Sequence, residues 1–278
     1  MIFFKMLKHD LRNGLLKRWQ GYGAALCFFL FLCVDFYFQI RHCAEINAGS
    51  FGDFLFYVFG GMKEYRPEMQ EPFQFPAVWT LTLVLIFYIT LYYPFHDLMG
   101  YGRGILLQSR SRIKWWGAKC AWAAAAVLLF FVLLWSVLLL FCLLLRRPIV
   151  MDISAAAYGI LGAAPGGNRG IVMQQQLTME LMLLPALTVI ALSLFQMFLS
   201  LFIKPLYSFV TTVSVLIASA YYSSGFMIGN YAMALRSVRV SASGVPLANG
   251  ICFALALSAF SVAAGMLVFR RYDILNKE

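Results

Sequence analysis

Charge is what this chain lacks. Only 12% of its 278 residues are Asp, Glu, Lys or Arg, while 62% are hydrophobic; a soluble domain carries roughly a quarter charged residues. With a mean hydropathy of +0.78, that scarcity excludes a soluble globular fold and points to several membrane spans. Histidine is scarce too. His9, His42 and His96 all lie outside the apolar runs, and no H-E-x-x-H occurs, which excludes a zinc hydrolase of that type. His96-Asp97 has no nucleophile nearby and reads as part of a solvated charged loop. None of the six cysteines forms a C-x-x-C pair. Cys27, Cys33, Cys120, Cys142 and Cys252 sit in or beside apolar runs, and only Cys43 falls in an expected external loop. Neither a zinc site nor a disulfide framework is supported. No Walker A sequence is present, so the chain is not expected to hydrolyse ATP alone. Gly162 to Gly170 is glycine-rich but lacks the Gly-Lys-Ser/Thr ending of a phosphate loop.

What charge there is sits at the ends of apolar runs. The net charge of +10 therefore reads as membrane orientation, and no basic tract interleaved with aromatics suggests nucleic acid. The N-terminus is not expected to be a cleavable signal peptide, because its basic stretch is long and no small-residue cleavage site follows. Residues 2–19 are expected to form a helix lying on the bilayer. Phe3, Phe4, Leu7, Leu11 and Leu15 share an arc of about 120° at helical spacing, with Lys5, Lys8, His9, Arg12 and Asn13 opposite, toward anionic headgroups.

Six apolar runs then have spanning length: about 21–40, 77–93, 120–145, 177–203, 206–222 and 247–269. Asp35 lies near the outer end of the first and Glu180 near the start of the fourth. An ionisable residue at such depth is a candidate for a pathway or a subunit interface; Asp35 is also close enough to the surface to reach headgroup water. The loop 42–75 holds Glu45, Asp53, Glu64, Glu68 and Glu71, which suits an external face. Within it, Phe51 to Gly61 is apolar but too short to span, so it is expected to lie on or dip into the outer leaflet. Tyr222 to Pro246 is too polar for a clean span and too apolar for a free loop, so it is expected to re-enter the outer leaflet, packed on protein. With both termini cytosolic, 14 of the 22 Lys and Arg fall on the cytosolic side.

The main polar interruption is His96 to Lys119, carrying Arg103, Arg110, Arg112, Lys114 and Lys119 against Asp97 alone. It is expected to face the cytosol. Gly104-Ile-Leu-Leu-Gln108 is apolar enough for a short helix that buries a face. No other cytosolic segment looks large enough to receive that face, so it is expected to dock a separate protein.

In this order of parts the chain resembles the permease subunits of bacterial ABC exporters of the type-2 family. Locally, Gly104-Ile-Leu-Leu-Gln-Ser109, then Arg112 and later Lys119, is similar to that family's loop between the second and third spans. The ending Phe269-Arg-Arg-Tyr-Asp-Ile-Leu275 is similar to its tails. Where the family carries acids just before the loop glycine, this chain has Gly102 and Arg103. The resemblance implies an all-α membrane protein: an interfacial helix, six transmembrane helices and a re-entrant segment before the last. It implies a multi-pass subunit of the bacterial cytoplasmic membrane that exports a peptide, drug or lipid-like molecule. Two permeases, alike or paralogous, would pair above two ATPase subunits that bind ATP and Mg, leaving this chain no cofactor and no catalytic residue. Arg103, Gly104, Ile105, Leu106, Leu107, Ser109, Arg110 and Arg112 would form the coupling contact. The rival expectation is a non-transporting scaffold or sensor that recruits a soluble partner through the same loop.

Overall fold

The computed structural model describes residues 2–15, 19–42, 48–65, 73–100, 102, 104, 106, 111–163, 171–241 and 243–271. Among the described residues the chain is helical, its one strand-like feature an isolated bridge between Ser237 and Val245. The helices are α1 (Ile2–Gly14), α2 (Trp19–Ile40), α3 (Phe51–Phe59), α4 (Ala77–Leu91), α5 (Tyr93–Met99) and α6 (Arg112–Leu144). They continue with α7 (Ala155–Ile160), α8 (Ile171–Leu199), α9 (Pro205–Tyr221) and α10 (Leu247–Arg271). Two 3-10 turns, Ile228–Ala232 and Ala234–Arg236, precede α10.

Five stretches are long and apolar enough to cross a membrane: Trp19–Ile40, Ala77–Met99, Arg112–Leu144, Gln175–Leu199 and Leu247–Arg271. The expected fifth span, α9, is the shorter apolar helix Pro205–Tyr221, and at 1.5 Å per residue it reaches only about 26 Å. The outward faces of these helices are apolar. Leu128, Val132, Leu139, Leu140, Leu143 and Leu144 lie exposed along α6, an arrangement that water would penalise and lipid would not. Pro185 sits inside α8 without ending it.

Two cores divide the interior. The larger runs along α2 and α4 and joins the later half of α6, much of α8 and the end of α9 around α3, all nine of whose residues are buried. The smaller sits at the opposite end, where Met6, Tyr93, Leu98, Trp115, Trp116, Trp122, Leu194, Met197 and Phe269 meet.

Three expectations change here. First, α6 begins at Arg112, two turns before the apolar run, because Trp115 and Trp116 pack inward and Trp115 stacks on Phe269 with centroids 4.8 Å apart. The interruption His96–Lys119 is therefore helical at both ends rather than a free loop. Second, α1 packs along α6 with a face turned about 80° from its apolar arc: Met6, Asp10 and Gly14 are buried while Phe4 is 72% exposed. Lys5, Lys8 and Arg12 remain exposed. Third, the 42–75 segment contains α3, held by a capping box between Ser50 and Asp53 and stitched to the chain after α6. The Gly52 amide donates to the Val150 carbonyl at 3.1 Å, and the Ser154 amide and hydroxyl donate to the Asp53 carboxylate at 2.7 and 2.8 Å. The glycine-rich stretch 164–170 and the tail 272–278 lie outside the described residues, as does Cys43.

The α10–α6 contact depends on Gly265. A Cβ there would meet the Trp116 indole at 2.2 Å, and that ring is fixed by its Nε1 donating to the Val262 carbonyl at 3.1 Å. Gly265→Ala should cost about 1–3 kcal/mol through overpacking, read as a lowered Tm in detergent, with partial recovery in Gly265→Ala/Trp116→Phe. An unchanged Tm for the single variant would show that the two helices do not approach this closely.

Candidate functional site

At the α1 end of the bundle three elements bring charge into the interior. Lys119, 1% exposed, comes from α6. Asp10 comes from the buried stripe of α1 and Asp97 from α5. The Lys119 ammonium forms ion pairs with both carboxylates, at 2.6 Å to Asp97 Oδ2 and in a very short contact with Asp10 Oδ1. The Tyr93 hydroxyl donates to Asp10 at 2.9 Å, and His9 Nε2 lies 3.6 Å from Asp97 Oδ1. The ammonium also faces the rings of Tyr93 and Trp115, 4.8 and 4.9 Å from their centroids. A buried ion repays its desolvation only when its partners are complete, and here they come from three separate elements. Burial pushes the Asp10 carboxyl up, against the opposing pull of Lys119 and the Tyr93 hydroxyl.

Gly102 lies against this cluster. A Cβ at Gly102 would meet Asp97 Oδ2 at 1.9 Å, so only glycine fits against the carboxylate. Leu106, expected on a face offered to a partner, is 3% exposed and packs in the chain's own smaller core. The sequence did not reveal this receiving core, to which α1, α5, α6, α8 and α10 all contribute. Gly104 is exposed. Arg112 Nη1 donates to the Arg270 carbonyl at 3.2 Å, tying the start of α6 to the end of α10. Arg103, Ile105, Leu107, Ser109 and Arg110 lie outside the described residues. Asp97 is likewise no solvated loop residue, its side chain being only 7% exposed. His9, Asp10 and Asp97 bring ligand atoms within 4.8 Å of one another, but the Lys119 ammonium holds both carboxylates, which is the chemistry of an ion pair and not of a metal site.

The two acids expected at a pathway or interface both find partners inside the chain. Asp35 accepts from Gln39 Nε2 at 3.0 Å and from the Tyr57 hydroxyl in a very short bond, linking α2 to α3. Glu180 pairs with Arg239 and accepts from the Ser237 hydroxyl at 3.3 Å, linking α8 to the chain before α10.

Sequence reasoning missed Arg236. This residue, 2% exposed, donates to the carbonyls of Met62, Ser219, Ala220 and Tyr222 and to Asn230 Oδ1. Ser219 and Ala220 belong to the last turn of α9, whose carbonyls have no helical partner, so the guanidinium caps that helix at the end of its dipole that favours a cation. Burial pulls Arg236 down to about 10, which leaves it cationic at neutral pH. Around it the 3-10 turns are buried, and Trp79 Nε1 donates to the Ala232 carbonyl at 2.9 Å. An arginine inside a semi-apolar stretch was the available signal.

The chain matches none of the family models, curated proteins or solved structures compared with it. The residues themselves therefore carry the functional reading.

Lys119→Met leaves two carboxylates buried without their counter-ion and should cost about 3–5 kcal/mol. The triple variant Lys119→Met/Asp10→Asn/Asp97→Asn should recover most of that, because no ion remains unpaired; thermal unfolding in detergent distinguishes them. Arg236→Met should cost about 1–3 kcal/mol for each carbonyl left buried and unpaired. It should also open a cysteine at the buried position Ile228 to a membrane-impermeant thiol reagent that labels Ile228→Cys alone poorly. Rapid labelling of both would mean that the 3-10 turns are not packed as described.

Proposed function

We propose that this chain is the membrane-spanning permease subunit of an ATP-driven exporter in a bacterial cytoplasmic membrane. In this reading six helices span the bilayer, α9 among them, with both termini cytosolic and the Tyr222–Pro246 segment re-entering the outer leaflet. A separate ATPase subunit, carrying the ATP and Mg, docks on the 96–119 segment, and a second copy or paralogue completes the pathway. The substrate class is a peptide, drug or lipid-like molecule.

The observation that supports the reading is where that segment is rooted. It leaves from α5 and returns into α6, and both are locked to α1 through Lys119. A load applied there passes directly into α6, a helix of 33 residues about 50 Å long, well beyond the roughly 30 Å hydrocarbon core. A rigid element that joins one end of the bundle to the other is what ATP-driven tilting between two states needs.

With Leu106 inside the chain, the contact to a partner falls on exposed positions at either end of the segment, Met99 and Ile113. A photo-crosslinking side chain at each, in membranes of the native host, should capture a chain that itself takes up a photoreactive ATP analogue. Charge reversal at Arg103 and Arg110 together should lower ATP-dependent transport at least tenfold while the chain still inserts. Adducts only with proteins that bind no nucleotide would favour the scaffold or sensor and reject the exporter.

A further inference from the structure

Two carboxylates share one ammonium at the foot of the bundle, so Asp10, Asp97 and Lys119 together carry one negative charge more than they can balance. The other groups facing them are His9 from α1 and Tyr93 and Trp115 from α5 and α6. The remaining described charges nearby turn away: Lys5, Lys8, Arg12, Lys114, Lys204, Arg270 and Arg271 are exposed, and Arg112 bonds the Arg270 carbonyl. The exposed His96 packs against the Tyr92 ring. From α8 and α10, Leu194, Met197 and Phe269 enter the smaller core beside the cluster. An excess charge shut away from water is costly, and a proton is the smallest ligand that removes it.

We propose that this cluster is a proton-binding site: with α1 docked it holds one exchangeable proton at the Asp10 carboxyl, beside Asp97 and Lys119, and it releases that proton to water when α1 lifts from α6. The upward push of burial on Asp10 favours its neutral carboxyl when docked, and protonation leaves Asp97 and Lys119 as a balanced pair. Lifted into water, Asp10 would return to its ordinary value. A group whose pKa is raised on docking contributes docking stability that is full below its free value. That contribution fades as pH rises through the docked value, so α1 is held in acid and loosened toward alkaline pH. One proton sets the limit, up to about tenfold in the docking equilibrium per pH unit within the window. The inference stands whatever docks on the 96–119 segment.

The test uses the full chain in lipid nanodiscs, native cysteines replaced by alanine, with spin labels at the exposed positions Phe4 and Ile113. Distances are recorded from about pH 4 to about pH 9, a range that begins at the ordinary carboxyl value and runs well above it. One short distance at low pH should give way to a longer population that grows by up to about tenfold per pH unit. Asp10→Asn removes the excess charge and should keep α1 docked throughout, and Asp97→Asn provides the same test from α5. Infrared difference spectra between the two pH extremes should show a protonated carboxyl band that is lost in Asp10→Asn. A distance distribution that ignores pH overturns the proposal, as does the wild-type pH response persisting in both asparagine variants.

Discussion

A lysine ammonium buried between two carboxylates from different helices constrains everything at one end of this protein. Lys119 cannot sit 1% exposed without Asp10 and Asp97, and neither acid could be buried there without Lys119, because the desolvation of each ion is repaid only by the others. That mutual requirement fixes the rotation of α1, the path of α5 and the early start of α6 at once. It also explains why α1 turns a polar residue inward and leaves Phe4 outside. On an isolated amphipathic helix the apolar arc would decide the buried face; here an ion pair decides it, and the apolar arc is left to cover the flank.

The opposite end is held by a different device. Arg236 is satisfied by backbone carbonyls from the chain after α3 and from the end of α9, together with the Asn230 side chain. Carbonyl dipoles can hold a buried guanidinium because its five donors fan out in a plane. The Glu180–Arg239 pair and the Asp35–Tyr57–Gln39 contacts add lateral ties at the same end. Between the two ends the helices meet mostly through apolar and small side chains.

How much of this was legible follows from what each feature rests on. The long apolar helices depend on composition over twenty or so residues and lie where the runs place them, except that α6 begins two turns early; α9 keeps its expected bounds but is the one short helix among them. The short helix α3 was visible as an apolar stretch, but its burial was not, since that depends on Asp53 meeting Ser154 some hundred residues on. Lys119 and Asp97 stood out as charges flanking a polar interruption, and the reading of a solvated loop failed because the partner acid, Asp10, is 109 positions away from Lys119. Periodicity could not find Asp10: it sits off the apolar arc among basic residues, where a lone acid reads as surface. Leu106 was misplaced for the same reason. The core that receives it is assembled from side chains far apart in the sequence, from Met6 to Phe269.

The two ends also differ in what can switch them. Arg236 stays cationic across any physiological pH, since even the downward pull of burial leaves it at about 10, and its acceptors are carbonyls that do not titrate. That end is a fixed anchor, altered only by breaking bonds to backbone. The cluster around Lys119 joins titratable acids, a histidine and a lysine in one closed space, so its energy changes with a single proton. A bundle anchored at one end and adjustable at the other converts a local change at the adjustable end into a tilt of the helices between them, because close-packed helices pass displacement along and absorb little of it. The long helix α6 joins the two: it carries Lys119 near its start and Cys142, buried in the larger core, near its end.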